Sequence, residues 1–304
     1  MRKLASVPLV GAGGEPVDLR RTLTSHGVAS LAPQRVDEER WILETAIEGE
    51  REVHAVSVAA GRPGALIVRV DELASSSSER GALLGTVRRV LALDEDLSHF
   101  YELARDDPAL AWVTTGAGRM LRSPTVFEDV VKTICTTNCA WSATVRMCDA
   151  IVNTLGRPAA DGRRAFPSAQ AMAEAGADFY RDVPRAGYRG DYLLRLARDV
   201  ADGKLDLEAL RDPDLGDEEV EQRLLALPGV GPYAAAHVML TALGRYGPLV
   251  FDSWTRPTYA RLSGRRASDV TIARRFRRYG RYAGLAFWLY LTRDWVRDPA
   301  DAEH

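Results

Sequence analysis

Asp252 is the residue of this chain best set for chemistry. It follows Gly247-Pro248 and the apolar run Leu249-Val250-Phe251, nineteen residues beyond Tyr233. A carboxylate in such a place can stabilise a developing positive charge or orient an attacking water. Just upstream, Leu227-Pro228-Gly229-Val230-Gly231-Pro232 separates an amphipathic stretch, Asp217 to Leu227, from an Ala-rich stretch that begins near Tyr233. Two helices joined by this turn make a hairpin. The glycines permit backbone angles that other residues resist, and they leave successive amides exposed where the second helix starts. The helix dipole adds to the pull of those amides on an anion, so a phosphate fits there without side-chain charge. Taken alone, the turn suits a plain αα-hairpin as well, and Asp252 suits an N-cap of the next helix. The two readings of Asp252 are compatible.

Other chemistry is thinly provided for. The 40 basic residues are 37 Arg and only three Lys (Lys3, Lys132 and Lys204), which leaves few amines for covalent catalysis. Cys135, Cys139 and Cys148 lie within fourteen residues and are odd in number. They are a poor disulfide framework, they lack the fourth ligand of a structural zinc or iron–sulfur site, and they favour a reducing, cytoplasmic compartment. No metal and no cofactor is expected.

The elements that must carry these residues follow from the rest of the chain. At 304 residues, 46% hydrophobic and 27% charged, with formal net charge −2, the composition is that of an ordinary globular protein of about two domains. It excludes disorder, collagen-like repeats and a disulfide scaffold, and its charge does not announce nucleic acid. There is no apolar run of membrane-spanning length. The opening MRKLASVPLVGAGG is read as mature sequence, its apolar stretch being short and broken by Pro8. Residues 1 to about 74 read as β-rich, with strands expected over Trp41–Ile47, Val53–Val58 and Ala65–Val70 in an antiparallel meander. Ser75 to Ser78 offer N-caps to a helix marked by Leu83, Leu84, Val87, Val90 and Leu91. From there on the patterns are helical. The expected fold class is α+β: a β-rich domain over residues 1–97 and an all-helical domain of two lobes over 98–304.

The hairpin and Asp252 together resemble the helix–hairpin–helix DNA glycosylase superfamily, nearest to its 8-oxoguanine and 3-methyladenine branch, and the likeness extends over nearly the whole chain. SPTVFEDVVKTICTTN, from Ser123 to Asn138, resembles the segment that opens the helical domain; Phe166-Pro167-Ser168, Gly187-Tyr188-Arg189 and Tyr282-Ala283-Gly284 match further family tripeptides in order. The resemblance implies that Asp252 is the catalytic carboxylate and that Gly229, Val230 and Gly231 meet DNA phosphate. It implies also that Asn138 contacts the orphaned partner base, that Tyr188 wedges into the duplex and that Arg189 reads the estranged base. The implied partner is double-stranded DNA with a damaged base, bound by a monomer.

Departures from the family refine the expectation. Bifunctional members carry a Lys where this chain has Tyr233, so a monofunctional enzyme is expected, releasing a free base and leaving the strand uncut. His237, Phe287 and Leu291 stand where the family's oxidised-base contacts would be. Trp141, Tyr233, Trp254, Phe287 and Trp288 supply candidate aromatic surface for a base pocket that would include His237, and alkylated purines are favoured over oxidised ones. The stretch Arg256 to Arg281 holds nine Arg against one acid, Asp269, and is expected to face phosphate. Two alternatives stand beside this reading: a bifunctional 8-oxoguanine glycosylase/lyase, and a non-catalytic hairpin protein that recognises damaged DNA.

Overall fold

The structure is a computed structural model, and it describes residues 1–72 and 76–296. Five strands, β1 (Arg2–Pro8), β2 (Arg35–Asp37), β3 (Ile42–Glu48), β4 (Val53–Ala60) and β5 (Ala65–Val70), form one antiparallel sheet in the order β1-β5-β4-β3-β2. The three expected strands are the middle of this sheet. The first begins at Ile42 rather than Trp41, because Trp41 sits at φ 55°, outside the extended region. The turn before it is closed by Asp37, whose Oδ1 accepts from the amides of Glu39 and Arg40. Strand β1, at the edge and largely exposed, has too little apolar alternation to be read from sequence.

Helix α1 (Leu19–Leu23) precedes β2, and α2 (Ser77–Val90) follows the sheet. Ser76 caps α2 by accepting from the Glu79 amide; Ser75 lies outside the described residues. Leu83, Val87 and Val90 of α2 pack on Leu43, Val56, Val58 and Val68 of the sheet. The helical remainder comprises α3 (Ser98–Arg105), α4 (Val126–Thr136), α5 (Trp141–Leu155), α6 (Ala169–Glu174), α7 (Gly176–Asp182), α8 (Arg189–Ala201), α9 (Asp217–Leu225), α10 (Pro232–Thr241), α11 (Thr255–Ser263), α12 (Asp269–Phe276) and α13 (Ala283–Thr292). Among the described residues no helix is long and apolar enough to cross a membrane.

The helices surround two cores. One is built from α4, α5, α8 and α9; the other from α3, α12 and α13. Helix α10 belongs to both: Ala234, Ala235, Val238 and Met239 face the first core, while Ala236 and Leu240 face the second. Its run of alanines lets both lobes come close, which is why this helix is buried almost all round. The N-terminal segment is tied to the helices by buried polar contacts. Glu15 receives Arg119 at 2.5 Å and the Leu97 amide at 2.8 Å. Lys132, with no exposed side-chain surface, lies 2.6 Å from Glu128 and donates to Gln34 at 3.1 Å. Breaking such a buried pair costs about 3–5 kcal/mol, because the surviving charge is left uncompensated.

Candidate active site and nucleic-acid interface

The turn from α9 to α10 is shaped by its two glycines in different ways. Gly229 has φ 79°, and a Cβ there would stand 2.7 Å from the Tyr192 ring, so conformation and space both demand glycine. Gly231 has an ordinary φ of −104°, and nothing lies within 4 Å of where its Cβ would be. Val230 is buried and anchors the turn, with its amide donating to Leu227 at 3.2 Å. The amides of Gly229 and Gly231 have no hydrogen-bond acceptor among the described residues. Pro232 opens α10 at the first helical position, where its missing N–H costs nothing.

Asp252 lies ahead of α11 and caps it reciprocally. Its Oδ1 accepts from the amides of Trp254 at 2.8 Å and Thr255 at 2.6 Å, and its own amide donates to Thr255 Oγ1 at 2.8 Å. This is capping-box geometry, which fixes the side-chain torsions. Oδ2 has no hydrogen bond among the described residues. Asp252 and the hairpin share a cavity of about 770 Å³, whose other walls are Thr136 to Cys139, Tyr188, Tyr192, Tyr233, Phe251 and Ser253. That volume lies within the range of small-molecule sites, about 300–1,000 Å³. A fixed carboxylate, two free amides and four aromatic side chains therefore converge on one opening.

No family model matches the chain. YfjP of Bacillus subtilis, provisionally named a DNA-3-methyladenine glycosylase, is 24% identical over 225 residues, or 71% of this chain and 77% of that protein. The 3-methyladenine DNA-glycosylase of Archaeoglobus fulgidus superposes with a TM-score of 0.74 at 22% identity, over 95% of this chain and 98% of its own. The 8-oxoguanine glycosylase/lyase of Clostridium acetobutylicum, solved with double-stranded DNA containing cytosine opposite 8-oxoG, superposes at 0.68 and 20% identity, over 91% and 92%. These likenesses in sequence and fold are consistent with the helix–hairpin–helix DNA glycosylase superfamily.

The cavity gathers Gly229, Val230, Gly231, Asn138, Tyr188, Tyr233 and Asp252 from the residues singled out in the sequence. The opposite wall from the hairpin is held by Arg189. Its Nε donates to the Thr137 carbonyl at 2.9 Å and its Nη2 to the same oxygen, while the guanidinium lies 4.6 Å over the Tyr188 ring. Arg189 is thus buried and braces the turn that presents Asn138, instead of lining the opening itself. Asn138 sits at φ 47° and donates to the Tyr188 hydroxyl at 3.3 Å. Tyr188 is 51% exposed at the rim, a position from which a ring can enter a base stack.

The other aromatic positions lie elsewhere. Phe287 has no exposed surface and packs against Phe251 and Phe276 at 5.4 Å each, because α13 is apolar all round and must be buried. The base-pocket expectation for Phe287 is therefore corrected to core. Trp254 packs at a tilt against Trp288 and Trp295, and Trp141 is exposed beside Gly27; neither Trp141 nor Trp254 lines the cavity. His237 lies one turn below Tyr233, ring to ring at 5.9 Å, and touches His26 edge-on at 5.7 Å. Burial pushes the His237 imidazole down to about 4 and that of His26 to about 3. Both are neutral near pH 7, and the Nδ1 of each is buried without a partner. Burial also pushes the Tyr233 phenol up, so it stays protonated.

Tyr192 and Phe251 are the aromatic wall residues that the sequence reading did not select. Tyr192 of α8 follows Tyr188, the N-cap of that helix, by four residues, a spacing that places both rings on one face, where they meet edge-on at 5.9 Å. No lysine lines the cavity: Lys132 is buried in its pair with Glu128, and Lys204 pairs with Asp202 at 2.7 Å on the surface. Of the nine arginines between Arg256 and Arg281, four are engaged within the fold. Arg256 pairs with Asp269 and Arg278 with Asp107, Arg275 lies over Tyr290, and Arg281 reaches the Tyr282 hydroxyl. Arg261, Arg265, Arg266, Arg274 and Arg277 remain exposed with no ion pair among the described residues.

Proposed function

We propose that the protein is a monofunctional DNA N-glycosylase, which hydrolyses the N-glycosidic bond of a flipped damaged purine and leaves an abasic site. The observation that carries this reading is Asp252, locked by its cap with one oxygen free, in a cavity bordered by the open hairpin amides. Duplex DNA docks through those amides and the exposed arginines, which meet phosphate and fix register without reading sequence. The target nucleotide leaves the stack, at a cost of a few kcal/mol that damage or mispairing reduces. As the glycosidic bond lengthens, positive charge grows on the sugar and the Asp252 carboxylate stabilises it; the free oxygen also orients the attacking water. Tyr188 fills the gap in the stack, and Asn138 faces the partner base.

Alkylated purines are favoured over oxidised ones. The cavity wall has aromatic faces and one carboxylate but no basic side chain, a lining that attracts a cationic ring. Tyr233, in the place of the catalytic lysine, removes the nucleophile for lyase chemistry. The likeness to a glycosylase/lyase keeps a second reading in view, that of a bifunctional enzyme. One assay separates them: duplexes carrying single lesions are incubated with the protein, then resolved with and without alkali. Breaks that need alkali, most abundant with N-alkylpurines, are the expected result. Breaks without alkali establish lyase activity, and no breaks with any lesion refute the enzymatic reading.

A further inference from the structure

Away from the cavity, the turn between β3 and β4 meets the first turn of α2. There one donor atom each of Glu52, His54 and Glu79 lies within 4.8 Å of the others. We propose that these three side chains bind a divalent transition-metal ion of the zinc type, which ties α2 to the sheet.

The distances favour ligands over a hydrogen-bonded pair. His54 Nε2 is 3.4 Å from Glu79 Oε1, long beside the usual ~2.7–2.9 Å of a charge-assisted hydrogen bond. Two ligands of a tetrahedral zinc ion, each bonded at about 2.0–2.1 Å, stand about 3.3 Å apart. His54 is 1% exposed, so the fold aims the imidazole at the two carboxylates. The space beside its Nε2 is kept open by Gly49, where a Cβ would stand 3.1 Å from that nitrogen.

A separate feature points the same way. A cleft of about 170 Å³ beside the cluster is lined by Glu52, His54 and Asp71. Asp71 Oδ1 accepts from the amides of Ala55 and Glu72, but its Oδ2 is shut off from solvent without any partner. A carboxylate oxygen buried without a donor is costly, and positive charge at the adjacent Glu52–His54–Glu79 cluster would offset part of that cost. Of the two arginines that line this cleft, Arg51 and Arg157, the latter is already engaged with Glu48 and the Arg51 carbonyl. One imidazole with carboxylate oxygens is a donor set that suits zinc better than calcium or magnesium, which take oxygen alone.

The test uses the full chain, stripped with a chelator and dialysed against zinc chloride alone, and it does not depend on glycosylase activity. Wild type should take up one zinc per chain and melt about 3 °C higher when saturated. Glu52→Gln and Glu79→Gln should each weaken binding at least tenfold while melting normally without metal. No saturable zinc overturns the proposal. So does binding that both variants retain, or binding lost instead on Cys139→Ser.

Discussion

On one side of the cavity, Gly229, Gly231 and Asp252 are placed by backbone conformation: a positive φ, a helix N-terminus and a reciprocal cap. On the other, Asn138, Tyr188 and Tyr192 are placed by side chains that cross between helices, with Arg189 bracing the Thr137 carbonyl and Tyr192 resting on Gly229. The first wall is specified within a few consecutive residues and the second by tertiary packing. Rigid local geometry serves the wall proposed to meet phosphate and sugar, where groups must stand still while charge develops. Adaptable aromatic packing serves the wall proposed to enter the base stack.

The largest expected effect falls on the first wall. Asp252→Asn keeps an oxygen to cap α11, so the fold and the DNA affinity should survive, but the charge is gone. Single-turnover base release should fall about 10³-fold, the scale of losing one electrostatic stabiliser of a transition state. A variant with near wild-type rates sinks the assignment.

The two glycines sharpen the contrast within that wall. Gly229→Ala introduces a Cβ at positive φ and 2.7 Å from the Tyr192 ring, so it should lower stability by about 2 kcal/mol in denaturant titrations. Gly231→Ala meets no protein atom and should leave stability within about 0.5 kcal/mol. Its cost should appear only with DNA, as an affinity loss of roughly tenfold that is equal for damaged and undamaged duplexes, since phosphate contacts carry no base information. A loss confined to one lesion would contradict the docking role.

The same contrast explains what could be read from the sequence. The strands over β3 to β5, the hairpin and the Asp252 cap are local patterns, and they appear where their residues put them. Strand β1 escaped because an exposed edge strand shows little apolar periodicity. Phe287 was misplaced because an aromatic residue on a helix near the site carries the same local signature whether it faces a ligand or the core; the choice was made by Phe251 and Phe276, distant in sequence. Tyr192 was legible in principle through its spacing from Tyr188. The brace from Arg189 to Thr137, spanning more than fifty positions, was not.

Beneath the cavity, His26 and His237 join the N-terminal segment to α10, and their protonation offers a smaller perturbation. Their folded-state values, about 3 and about 4, lie below the ordinary 6.5. The unfolded chain therefore binds more protons, and the stability from keeping both rings neutral is complete above pH 6.5 and is lost as pH falls from there toward 4. For one such group the loss by pH 5 is about 2 kcal/mol. His237→Gln should thus flatten the melting temperature between pH 7 and pH 5 relative to wild type. An unchanged slope would show that His237 is already protonated or hydrated in the fold.

The smallest expected signal is a gain, and it probes where the two walls meet. Tyr233 lies on the cavity at the start of α10, above His237 and in the same opening as Asp252. If this position stands beside the sugar, Tyr233→Lys places an amine within reach of C1′. Half-buried and away from water, that amine would lose part of its proton affinity and become nucleophilic near neutral pH. A few per cent of the DNA, about 1–5%, should then be trapped as a covalent complex by borohydride, with strand breaks that need no alkali. The trapped fraction should disappear in Tyr233→Lys/Asp252→Asn, because the carboxylate is still required to release the base before the amine can form a Schiff base. Wild type should trap nothing, its three lysines being Lys3 on β1, the buried Lys132 and the surface-paired Lys204. Trapping by the wild type would overturn the monofunctional reading, and trapping by the double variant would detach the new chemistry from Asp252.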